Sequence, residues 1–166
     1  MTTLAELTTF RVGGEVSRLV RAASSEELAA AVRAADEEQR QLLVLGGGSN
    51  LLASDAPFDG TVVAVRPGTE IARIVQEDAA DSVIVRVWAG TFWDDFVAWS
   101  VDEHLSGIEA LSGIPGSAGA SPVQNVGAYG HEVAETIHSV EAYDRLEQRI
   151  VRLLPSELGF AYRSSA

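Results

Sequence analysis
The chain holds 166 residues with a formal net charge of −12, 46% of them hydrophobic and 22% charged, which suits one domain or two small lobes with real cores and excludes a disordered chain. The acidic excess argues against nucleic acid and anionic membrane, since both need a surface of opposite sign. With no cysteine and no lysine, the chain excludes disulfides, thiolate metal sites, a cysteine nucleophile, a Walker-type phosphate lysine and Schiff-base chemistry.

Alternation over residues 16–22 predicts a short strand. Ser24 and Glu27 then form a capping-box pattern, and Leu28, Ala31, Val32 and Ala35 recur at helical spacing, so a helix is expected over 25–41. Leu42, Leu43, Val44 and Leu45 read as a strand buried on both sides, running into Gly46-Gly47-Gly48-Ser49-Asn50. Residues 61–65 are a second apolar strand, entered through a Phe58-Asp59-Gly60 turn and left through Pro67-Gly68. A third strand is expected over 83–89. A helix follows, capped by Thr91, with Asp94 at its third position and Trp93, Phe96, Val97 and Val101 on one face. Residues 112–130 carry neither period. Strands are expected over 137–143 and 148–153, and one helical turn over 155–158. This order indicates an α+β protein of two lobes, 1–66 and 67–166.

No apolar run approaches about 18 residues, and the first ten residues have no basic or apolar region of a secretory leader. The expected location is cytoplasmic, with no membrane partner. His104, His131 and His138 match no metal-ligand spacing, so no metal is expected.

Two glycine-rich segments hold the chemistry. Gly46, Gly47 and Gly48 can turn successive N–H groups inward as an anion nest, with Ser49 and Asn50 adding side-chain donors; a plain turn between strand and loop is the other reading. A dinucleotide fingerprint fails because Leu51 stands where its third glycine belongs. Residues 112–130 offer five glycines, three serines, Gln124 and Asn125, without an acid or base. That inventory suits a large, flat, polar-edged ligand better than acid–base catalysis, against the alternative of an ordered structural loop.

Five segments occur in order: Thr8-Thr9-Phe10, Leu45 to Leu52, Leu111 to Gly116, Pro122 to Gly130 and Phe160 to Ser165. Together they resemble the UDP-N-acetylenolpyruvoylglucosamine reductases, flavoenzymes of peptidoglycan precursor synthesis, over essentially the whole chain and in particular their N-terminal FAD-binding part. The resemblance implies a vanillyl-alcohol-oxidase (PCMH) type fold, with non-covalent FAD between two α+β lobes. It implies that Gly46, Gly47, Gly48, Ser49 and Asn50 hold the pyrophosphate in the first lobe, with Leu51 also among the cofactor-binding residues. In the second, Ser112, Gly113, Ile114, Gly116, Ser117, Gly119, Ser121, Gln124, Asn125, Gly127 and Tyr129 would line the ribityl chain and isoalloxazine. Tyr129 can also be read as a packing aromatic.

The implied reaction is ping-pong. NADPH supplies hydride, and the enolpyruvyl ether of a UDP-sugar is reduced at C3 and protonated at C2. Arg163 maps onto the arginine that polarises the substrate carboxylate; taken alone it would read as a surface arginine. Ala161 and Ser164 depart from the family's glycine and aspartate. The family's proton-donating serine and second acidic residue belong to a following substrate-binding domain without counterpart in these residues. Flavin binding without full turnover by these 166 residues alone is therefore expected, and the alternative is a non-catalytic cofactor-binding or interaction module left by truncation.

Overall fold
The computed structural model describes residues 2–78 and 82–166. The chain divides into two compact units, Met1–Arg66 with Tyr143–Arg149, and Pro67–Ala142 with Ile150–Ala166. Both are α+β.

In the first unit β1 (Val16–Ala22), α1 (Ser25–Glu37), β2 (Gln41–Leu45) and β3 (Phe58–Val65) follow one another, and β3 is central in a parallel sheet of order β1-β3-β2. Val62 of β3 stands opposite Leu19 of β1 and Leu43 of β2. The alternation of β3 serves two cores. Val62 packs with Leu4, Leu7, Val16 and Leu45, while Val63 packs with Ala22 and with Ala31 of α1. Burying each such valine contributes roughly 1.5–3 kcal/mol, which makes β3 the anchor of this unit. Thr61 is also fully buried, and its hydroxyl has no hydrogen-bond partner.

Three features of this unit differ from the sequence expectation. Strand β2 lies at an edge, with Val44 49% exposed, rather than buried on both sides. A continuous apolar run states burial without saying which strand takes the centre. Strand β3 begins at Phe58, so Phe58-Asp59-Gly60 is extended chain rather than a turn; Phe58 N–H donates to the Glu15 carbonyl at 2.8 Å. Helix α1 stops at Glu37, four residues short, because Gln39 takes φ +52 and the N–H of Arg40 reaches back to the Ala35 carbonyl. At the start of α1 the Ser24 hydroxyl accepts from the Glu27 N–H at 3.2 Å. Glu27 returns its carboxylate to the N–H of Ala23, one residue before the cap.

The second unit contains β4 (Ala72–Asp78) paired antiparallel with β5 (Ser82–Val87), then α2 (Trp93–Asp102). Strand β4 is absent from the sequence reading. Its polar members Arg73, Gln76, Glu77 and Asp78 break up the apolar signal, and pairing with β5 overrides weak local propensity. Trp93, Val97, Ile108, Leu111, Val126 and Val133 form the core. The Trp93 indole N–H donates to the Leu111 carbonyl at 2.8 Å, satisfying a polar edge inside it. The cap of α2 is Phe92, without a side-chain bond; Thr91 instead donates its hydroxyl to the Ile71 carbonyl.

Two-residue strands β6 (Gly127–Ala128) and β7 (His131–Glu132) follow, and then the hairpin of β8 (Val140–Asp144) and β9 (Arg149–Leu153). The tip of that hairpin belongs to the first unit, where Arg145 pairs with Asp36 of α1 and Arg33 donates to the Tyr143 hydroxyl.

Candidate cofactor-binding segments
The first glycine segment lies in the twelve-residue parallel crossover, residues 46–57, just beyond the C-terminal end of β2. Ligands of open parallel sheets favour that end of the strands. Gly47 is exposed, Gly46 and Ser49 are half-buried, and Asn50 is exposed. Gly48 differs from its neighbours. It is buried with φ +68, its carbonyl accepts from the Thr9 N–H at 3.0 Å, and an added Cβ would lie 2.1 Å from the Leu7 carbonyl oxygen. The Thr8-Thr9-Phe10 segment and the glycine turn are thus one packed structure. Leu51 turns inward onto the cluster of Leu4, Leu7 and Leu45.

In the second unit, residues 112–121 are pinned to the approach to α2. Gly116 carbonyl accepts from the Trp93 N–H, Ala118 N–H donates to Thr91, and Gly119 N–H donates to Ala89 at 2.9 Å. An added Cβ on Gly119 would meet that of Ala89 at 2.5 Å. Asp94 receives the Gly113 N–H at 2.7 Å and the Ser112 hydroxyl at 2.9 Å. Those two donors, the amide first, hold its carboxyl below the usual aspartate range. Ser117 and Ser121 are buried, and Ser121 donates to the Ala118 carbonyl. Ile114 packs on the core, and Gln124 is exposed.

Strands β6 and β7 are joined by Tyr129 and Gly130 with φ +53 and +84, both in the left-handed region as a type I′ hairpin requires. A tyrosine there is strained, and the residue is 89% exposed. Asn125 is the reverse. Only 1% exposed and at φ +42, it donates Nδ2 to Glu132 Oε2 at 2.7 Å and to the Ala161 carbonyl at 3.1 Å, and accepts the Ala134 N–H.

Residues 161–164 make a tight turn, closed by Ala161 N–H to Ser164 carbonyl at 3.0 Å and the reciprocal bond at 3.1 Å. Its second central residue, Arg163, has φ +54. The guanidinium donates to the Gly127 carbonyl at 2.6 Å and lies 5.6 Å from the Tyr162 ring centroid. In so acidic a chain, no carboxylate among the described residues pairs with it. Strained backbone, an exposed cation and no acidic partner suit recognition of a ligand anion.

Gly113 and Gly130 bear on cofactor fit. Both have positive φ, and an added Cβ would meet nothing within 4 Å, so each presents open, side-chain-free backbone. In the first unit Gly47 is exposed. Within each unit, open backbone of this kind can lie against a large, flat, polar-edged group such as a flavin. Among the described residues no group of three or more His, Asp or Glu could hold a metal ion, and no helix is long and apolar enough to cross a membrane.

A family model described as FAD binding domain matches residues 16–153. UDP-N-acetylenolpyruvoylglucosamine reductases of Salinispora arenicola and Thermobifida fusca are 49% and 50% identical over 98% of this chain. That of Nocardia farcinica is 51% identical over the same share. The chain spans 40–45% of the length of these three curated relatives. The crystal structure of the reductase from Thermus caldophilus superposes with a TM-score of 0.77 at 29% identity, covering 99% of this chain and 55% of that one.

Proposed function
The chain belongs to the FAD binding domain family, and from that membership we propose that it is the flavin-holding part of a reductase that converts the enolpyruvyl ether of UDP-N-acetylglucosamine to UDP-N-acetylmuramate in peptidoglycan precursor synthesis. NADPH is the hydride source. FAD, when bound, supplies the two-electron carrier between nicotinamide and the enolpyruvyl carbons.

The chain's own residues bind and orient. In the first unit, the backbone N–H groups of Gly46, Gly47 and Gly48, with Ser49 and Asn50, hold the pyrophosphate; Leu51 supports the turn from beneath. In the second, Ser112, Gly113, Ile114, Gly116, Ser117, Gly119, Ser121 and Gln124 shape the wall along the ribityl chain and ring. Gly127 and Tyr129 carry that wall into the β6–β7 hairpin, and Asn125 holds the wall together. Arg163 binds the substrate carboxylate and stabilises negative charge as it develops there, a task for a permanently charged planar fork.

The observation that carries this reading is Arg163, an exposed guanidinium on a strained turn with no acidic partner, joined by one bond to the Gly127 carbonyl of the glycine-rich loop. The test is flavin absorbance retained after incubation with FAD and desalting. Arg163→Lys should keep that absorbance yet weaken binding of the enolpyruvyl substrate by about tenfold or more, the order of one lost charge-assisted contact. A colourless protein that rejects FAD would sink the reading.

A further inference from the structure
We propose that Asn125 is a positioning residue for Arg163: its buried amide clamps the 161–164 turn to the β6–β7 hairpin and so sets where the guanidinium points. The inference rests on the reading that Arg163 meets a substrate anion.

Both amide protons of Asn125 are engaged, one by the Glu132 carboxylate and one by the Ala161 carbonyl at the start of the turn. Its oxygen accepts from Ala134, so the side chain is bound on three sides and turned into the protein. The bonds that close the turn itself are local and leave it free to swing as a body. The Ser165 hydroxyl to the Val123 carbonyl involves a half-buried donor residue, and the Ala166 N–H to the Leu158 carbonyl and Arg163 to Gly127 involve exposed ones. Water competes for such bonds, whereas the Asn125 amide is sheltered, and one of its bonds is charge-assisted. Losing it would leave the Ala161 carbonyl and the Glu132 carboxylate seeking other partners. The left-handed backbone at residue 125 also favours asparagine, so local conformation and long-range clamp agree on one residue.

Amide hydrogen exchange on the full 166-residue chain tests this. Asn125→Gly keeps positive φ without strain and removes only the amide. Exchange at Ala161 and Ser164 should quicken by about tenfold while protection in α2 stays unchanged. Unchanged exchange at the turn overturns the proposal, and so does an equal loss across α2, which would mark a general structural role. Asn125→Asp removes both donors and sets a carboxylate against Glu132, so exchange at the turn should quicken further. Adding Glu132→Gln restores a donor across that pair and should recover part of the protection; no recovery overturns the link. These readouts need neither flavin nor substrate. Failure of the unaltered protein to retain FAD would therefore remove the proposed function while the exchange data still decide the clamp.

Discussion
The two glycine-rich segments solve one problem by opposite means. Around Gly48 the backbone is shaped by contact, because the Leu7 carbonyl occupies the place of a side chain and the turn has no other way to fit. Around residues 112–130 much of the shape comes from hydrogen bonds, with Asp94 gripping Ser112 and Gly113, Asn125 reaching Glu132 and Ala161, and left-handed backbone borne by Asn125 and Tyr129 as well as by Gly113 and Gly130. Glycine marks a packing constraint in the first segment. In the second, Gly113 and Gly130 mark open backbone between fixed posts, while Gly119 is packed against Ala89.

The largest expected effect falls beneath the second segment. Leu111 is fully buried and accepts the Trp93 indole bond through its carbonyl, so Leu111→Ala should cost about 2–5 kcal/mol, measured by denaturant unfolding. The loop it supports should lose flavin retention with it. Comparing glycines sharpens the contrast further. Gly48→Ala combines left-handed strain with a backbone clash and should cost roughly 2–4 kcal/mol. Gly113→Ala carries the strain alone and should cost about 1–2 kcal/mol, with FAD affinity falling more than stability because the new methyl enters open space. Equal losses of stability at both positions would erase the distinction.

Smaller effects test the polar side. The buried Thr61 hydroxyl of the first unit lacks a partner, whereas Ser121 and Asn125 in the second are satisfied. Thr61→Val should raise stability by about 1 kcal/mol in thermal unfolding. The least effect is the acid response of Asp94. Its carboxyl is held low in the folded chain, so its contribution is complete above about pH 4 and drains away as pH falls through the lowered folded value. The Gly113 amide resonance should follow that titration. A titration at the ordinary aspartate value would mean that the grip on Ser112 and Gly113 is not held in solution.

Much of this was legible in the sequence where a signal was local. Ser24 caps α1 as its spacing predicts, β1 runs over Val16–Ala22, and the Pro155–Glu157 turn falls where a proline and a carboxylate ask for it. The capping of α2 was not legible, since Asp94 serves Ser112 and Gly113, eighteen and nineteen residues away, rather than its own helix. Nor was the return of residues 143–149 to the first unit, which depends on Arg145 meeting Asp36 across 109 positions.

The sequence by itself determined the exclusions that follow from missing lysine and cysteine, the type of most elements, the position of both glycine segments and the likeness to a flavoenzyme family, because each is written in composition or in short ordered motifs. Tertiary structure decided which glycine is locked by packing, which strand takes the centre of the sheet, and that the Asn125 amide faces the Arg163 turn. Those depend on groups far apart in the chain coming within hydrogen-bond or van der Waals distance, and no local propensity carries that information.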